Sequence, residues 1–137
     1  MKFMMIVKSA ERSGRPPQAL MEAIDKLGQE AVKAGTMVAS GGLAPTAVST
    51  RVRLSGGQLT KVDGPFTEAK EVIGGYAVFE LKSKEEAVEW AKRCPASDNE
   101  VIEVRQVQEF SDFPADVQKA AAGFPEMQEQ SKQRQGS

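Results

Sequence analysis

A chain of 137 residues with a formal net charge of −1 and no histidine excludes much before any motif is read. The length suits one domain that buries a core without disulfides or metals, and the balanced charge offers no field to draw in nucleic acid or an anionic membrane. Without histidine there is no Ser-His-Asp or Cys-His catalysis and no histidine-ligated zinc, copper, iron or haem within one chain, so acid–base work falls to carboxylates, Lys, Tyr, Cys or water.

Cys94 is the single cysteine, so no intramolecular disulfide forms, which fits a reducing compartment. No stretch reaches membrane-spanning length, and the short apolar run at the N-terminus is not followed by a cleavage site. A soluble cytoplasmic protein is expected, with no metal, no cofactor, no nucleic acid and no membrane among its partners.

In chain order, residues 3–8 favour a first strand. A polar loop over 9–17 contains Gly14 and ends in Pro16-Pro17, residues suited to a helix start. From 18 to 34 the apolar positions Leu20, Ile24, Leu27 and Ala31, with Ala23 and Ala34, recur at helical spacing and predict one buried stripe. Gly35 is a natural helix stop, and Gly28 inside the helix suggests close packing there. Residues 36–43 predict a second strand, broken by Ala44-Pro45. Residues 48–54 and 58–62 predict a short, partly exposed hairpin around Gly56-Gly57, with Val52 and Leu54 on one side and Arg51 and Arg53 on the other.

The segment from Asp63 to Tyr76 concentrates the most information. Asp63 is expected to accept from the backbone N–H groups just after it. Gly64 is expected to take a positive φ before Pro65, and Phe66 to pin the turn to a core. Glu68, Lys70 and Glu71 follow as a charge cluster, then Gly74-Gly75, where a side chain would block close approach. The strand over 73–81 is apolar on both faces, with Ile73, Ala77, Phe79 and Leu81 pointing one way and Val72, Tyr76 and Val78 the other, so both faces need cover. Ser83 and Glu86 predict a capping box for a helix ending near Arg93, with Ala87, Trp90, Ala91 and Cys94 on its packed face and Pro95 as its stop. Residues 101–110 predict a last strand. A domain over 1–113 is expected, followed by a polar tail over 114–137, with a short helix at 114–122 and no structure in its final ten residues.

The order strand, helix, strand, hairpin, strand, helix, strand is an α+β, ferredoxin-like β-α-β-β-α-β plan with a β-hairpin insertion. Helices cover one sheet face, and a second copy of the sheet is the economical cover for the other, giving a symmetric homodimer; the tail is the competing cover.

The run Asp63-Gly64-Pro65-Phe66-Thr67-Glu68-Ala69-Lys70-Glu71 with Gly74-Gly75-Tyr76 resembles the DGPF family, within the YCII-related group of dimeric α+β barrel proteins. Support comes from residues 1–4, 89–95 and 103–107, and the resemblance covers about residues 1–113. Thr67 and Ala69 stand where the family usually has Ala and Thr. The resemblance implies the fold and the dimer. Some DGPF proteins are associated with alternative sigma factors, which implies a regulatory setting. YCII proteins proper resemble small enzymes with a proposed His-Asp pair, of which this chain lacks the histidine.

Two functions follow. The first is a small-molecule-binding or regulatory module whose ligand lies between sheet and hairpin, near Asp63, Tyr76, Ser40, Arg51 and Arg53. The second is a cofactor-free enzyme of lyase, isomerase or oxygenase type using Asp63 with Tyr76 or Glu68. Each residue also has an ordinary role: Asp63 as a turn residue, Tyr76 as a core residue with a satisfied hydroxyl, Arg51 and Arg53 as a solvated strand face, Ser40 as a strand end, and Cys94 as an inert buried thiol.

Overall fold

The computed structural model describes residues 1–11 and 16–136, so Gly14 of the expected loop lies outside the described residues. The chain divides into two compact units, Met1–Gln106 and Val107–Ser137.

The first unit is a four-stranded antiparallel sheet with two helices and a separate hairpin. Its strands are β1 (Lys2–Ser9), β2 (Met37–Gly42), β5 (Val72–Glu80) and β6 (Val101–Gln106), in the order β2-β5-β1-β6. This is the order of an α+β, ferredoxin-like sheet, in which each helix connects strands that are not neighbours. The hairpin β3 (Thr50–Ser55) and β4 (Gln58–Asp63) forms its own two-stranded sheet. Gly56 and Gly57 at its tip both have positive φ, 58° and 78°, as a two-residue hairpin turn requires.

Helix α1 (Gln18–Lys33) starts after Pro17 and stops at Gly35, whose φ of 72° matches the left-handed stop expected of it. Leu20, Ala23 and Leu27 are half-buried and Ala31 fully buried, while Ile24 is exposed, so the expected stripe is fully buried only near the C-terminal end of the helix. Gly28 has no atom within 4 Å of a Cβ placed on it. The close packing expected there is therefore absent, and Gly28 is only a weak helix former. Helix α2 (Lys84–Arg93) shows half of the expected capping box: the Glu86 N–H donates to Ser83 Oγ at 3.1 Å, but the Glu86 carboxylate accepts from the Lys82 N–H, one residue before the cap, and not from that of Ser83.

The core lies between the helices and one sheet face. Phe3, Met5, Ala31, Phe79, Leu81 and Ala87 form it, with Trp90, Ala91 and Cys94 packed against it. The Phe79 and Trp90 rings meet at 5.6 Å and 35°, and burying the Phe79 side chain is worth about 1.5–3 kcal/mol. Burial also pushes the Cys94 thiol above its ordinary pKa, consistent with an inert core cysteine.

The register corrects one facing expectation. Val7 pairs with Gly75 but Lys8 pairs with Ile73, so Gly74 is an extra residue in β5. This bulge moves Ile73 off the Ala77 and Phe79 face and onto the Tyr76 and Val78 face, because one inserted residue reverses the side-chain alternation beyond it. The last strand is also shorter than expected and ends at Gln106.

In the second unit, a 3-10 turn (Phe110–Asp112) leads to α3 (Ala115–Ala120) and α4 (Phe124–Gln135). Helix α4 occupies residues for which composition alone predicts no structure. Its Glu, Gln, Met, Lys and Arg residues are good helix formers, and Gln130 donates to Glu126 one turn earlier. No residue of α4 is buried. Among the described residues no helix is long and apolar enough to cross a membrane.

Candidate functional site

The segment from Asp63 to Phe66 is a clasp at the root of the hairpin. Phe66 is buried, as expected of an anchor, but apart from the core cluster that an anchor is expected to join. Its backbone N–H donates to Thr46 Oγ1 at 3.4 Å, and the Arg51 guanidinium lies 3.8 Å from its ring centre. Arg51 also reaches Glu68 at 3.2 Å.

Gly64 is needed for a different reason from the one its neighbours suggest. Its φ is not positive. A Cβ there would lie on the Thr46 carbonyl, with the carbonyl carbon at 2.7 Å. The Gly64 N–H donates to the Ser49 carbonyl at 2.8 Å, which holds the two segments in that close approach, and the Gly64–Pro65 peptide is cis. Thr46 is fixed from the other side by Glu11, which accepts from the Thr46 N–H at 2.9 Å and from its hydroxyl. The hydroxyl bond first, then the backbone bond, hold the Glu11 carboxyl below the ordinary glutamate range. Neither Glu11 nor Thr46 stands out in sequence. An acidic residue far along the chain from its Thr partner leaves no local pattern.

Asp63 does not cap its own turn. Its Oδ1 accepts from Thr50 Oγ1 at 2.8 Å across the hairpin, with Lys61 at 3.5 Å. Thr50 and Asp63 are register partners, so cross-strand geometry wins over the local turn. Asp63 and Glu68 are about two-thirds exposed, at 67% and 71%. Arg53 sits opposite Thr60 and is exposed, with no ion pair among the described residues. Ser40 lies opposite Ala77 on β2 and is exposed.

Tyr76 lies elsewhere, on the sheet face away from the helices. Its ring crosses Gly41 so closely that a Cβ there would come within 2.9 Å of the hydroxyl. The hydroxyl has no hydrogen-bond partner among the described residues, unlike the satisfied core tyrosine expected. Register places Met4, Ile6, Val78, Ala39 and Gly41 on the same open face. Ile6 is buried, and Met4, Tyr76 and Val78 are half-buried. Lys8 stands beside them, 3.0 Å from Glu71 and 3.5 Å from Glu103. Its pKa is raised, first by the hydrogen bond to Glu71 and then by the charge of Glu103. Of the sequence-predicted residues, then, Asp63, Arg51 and Glu68 gather at the hairpin root. Tyr76 belongs to the open face, and Ser40 and Arg53 join neither group. A shallow depression on α2, lined by Lys84, Glu85, Val88 and Glu89, contains none of them.

The YCII-related domain model matches residues 1–111, most of the chain. This chain belongs to the YCII-related family. A curated relative, an uncharacterized protein of Rhizobium meliloti (strain 1021), is 29% identical over 75 residues. The match covers 55% of this chain and spans 60% of that protein's length. The YCII-related membership places the open face and the clasp inside the family domain, whose function is itself uncharacterised.

Proposed function

We propose that this YCII-related chain is a small-molecule-binding or regulatory module of the cytoplasm that works as a homodimer, with the open sheet face closed by a second copy. The open face carries the reading. An apolar strip of Met4, Ile6, Tyr76 and Val78 is flanked by Lys2, Lys8 and Arg105 and by Glu71, Glu80 and Glu103, three basic and three acidic side chains. An apolar centre with a charged rim is the anatomy of a protein interface. A rim of zero net charge lets two identical faces meet without repulsion.

In this reading, dimerisation encloses the Tyr76 hydroxyl, which has no partner among the described residues, in a largely apolar space, and the hydroxyl orients the bound small molecule. Asp63, Arg51, Arg53 and Ser40 are the remaining ligand contacts proposed, reached from the hairpin side. No observation favours the enzyme reading. Asp63 and Glu68 stand in solvent and are engaged by Thr50 and Arg51, whereas catalytic groups line a concave, largely apolar pocket.

Light scattering at micromolar concentration is expected to give twice the monomer mass. A thermal-shift screen of metabolites should then find a stabilising ligand, since one present at 100 times its dissociation constant adds about 2.7 kcal/mol. A monomer at every concentration would overturn the dimer. A ligand whose shift survives Tyr76→Phe unchanged would remove the hydroxyl from the site.

A further inference from the structure

The β3–β4 hairpin presents an apolar surface that the described chain leaves uncovered. All twelve of its strand residues are exposed. Register places Thr50, Val52, Leu54, Leu59, Lys61 and Asp63 on one face. Val52, Leu54 and Leu59 there are 68%, 69% and 73% exposed. A two-stranded hairpin without a covered face is marginal in water, and large aliphatic side chains clustered in solvent mark an interaction surface.

We propose that this face packs against a second copy of the chain, so that the homodimer closes over two surfaces, the open sheet face and the hairpin. The inference rests on the dimer proposed above.

Charge selects the occupant. On the apolar face the only charged groups are Lys61 and Asp63, of opposite sign and 3.5 Å apart. Two such faces therefore meet with no net repulsion, and each cation finds a carboxylate on the other copy. The reverse face differs. It carries Arg51 and Arg53, and among the described residues only Arg51 has an acidic partner, Glu68. Two copies of that face repel.

Continuity points the same way. The hairpin root runs through Asp63 and Phe66 into the loop whose Glu71 holds Lys8 on the open sheet face. One surface thus leads to the other along about eight residues of chain, from Asp63 to Glu71.

Hydrogen exchange of the hairpin amides, measured across a dilution series alongside the molecular mass, tests the inference. The expected result is a dimer whose β3–β4 amides are slow to exchange, with protection lost in step with dissociation. The double variant Leu54→Ser/Leu59→Ser, changed only at exposed positions, should fold normally and dissociate at a concentration on the order of tenfold higher. A dimer whose hairpin amides exchange fast at all concentrations overturns this inference and leaves the sheet-face dimer standing. Hairpin amides protected in a monomer overturn it in favour of cover from the same chain. A monomer throughout overturns both proposals.

Discussion

Replacing Gly64 with alanine should be the most damaging single-methyl change in the clasp. The new Cβ would fall on the Thr46 carbonyl, with its carbon at 2.7 Å and the Ala47 nitrogen at 3.5 Å. Something must move, and the local bonding decides what that costs. Thr46 is held through its N–H and its hydroxyl by Glu11, and its hydroxyl in turn accepts from Phe66. Gly64 is held by its own N–H on Ser49. Relief therefore breaks at least one of these bonds. Overpacking of this kind costs about 1–3 kcal/mol, and a broken hydrogen bond adds about 1 kcal/mol, so a loss of about 2–4 kcal/mol is expected. Urea denaturation measures it, with an unchanged m value showing that the unfolding reaction is the same. Gly28→Ala is the matched control. No atom lies within 4 Å of its Cβ position in α1, so it should stabilise by about 1 kcal/mol through helix propensity. A Gly64→Ala variant within about 0.5 kcal/mol of wild type would refute the close approach, since surface changes free of such contacts fall in that range.

Asp63→Asn keeps an acceptor for the Thr50 hydroxyl and should match wild type, whereas Asp63→Ala should lose about 0.5–1 kcal/mol. Thr50→Val should cause the same loss and add nothing on top of Asp63→Ala; additive losses would mean the pair does not act as one. Glu11 has a depressed pKa in the folded state, so its stabilisation is present above the ordinary glutamate range and lost as pH falls through the folded value. The stability gap between wild type and Glu11→Gln should accordingly narrow in acid, and a gap independent of pH would argue against the charged clasp. Deleting residues 128–137 should leave the melting temperature of the first unit nearly unchanged, because α4 buries no side chain; a drop of many degrees would show that the segment covers core.

The strand and helix order was legible because each element carries its own local signal. Gly35, Ser83 with Glu86, and Gly56-Gly57 mark stops, starts and turns by backbone chemistry that acts over a few residues. The extent of the buried stripe of α1 was less so, since spacing shows a face but not how much of it meets the sheet, and Ile24 stays in solvent. The bulge at Gly74 was hidden for a related reason. Glycine in a strand signals a bulge or a close approach, and only the pairing with Val7 and Lys8 decides between them.

The candidate site divided along the same line. Sequence brought Asp63, Arg51, Glu68 and Tyr76 together by motif and residue type. Space separates them, because the first three serve the root of an exposed hairpin while Tyr76 is carried onto the open face by β5. Glu11 and Thr46 bond across thirty-five positions, a distance at which no pattern in one sequence links two residues.

What the clasp does for function follows from what its side chains have already spent. Asp63 is bonded to Thr50, Arg51 is shared between the Phe66 ring and Glu68, and Thr46 is shared between Glu11 and Phe66. A group so engaged must break a bond to bind something else, whereas the Tyr76 hydroxyl and the aliphatic face of the hairpin have no partner to give up among the described residues. The contacts of the motif hold the root of the hairpin, Gly64 on Ser49 and Phe66 on Thr46, while Glu71 reaches Lys8 on the open sheet face. As proposed ligand contacts, Asp63 and Arg51 would each have to give up a bond already made. Loosening the clasp with Gly64→Ala should therefore weaken the proposed dimer as well as the fold, while leaving Met4, Ile6, Tyr76 and Val78 chemically intact.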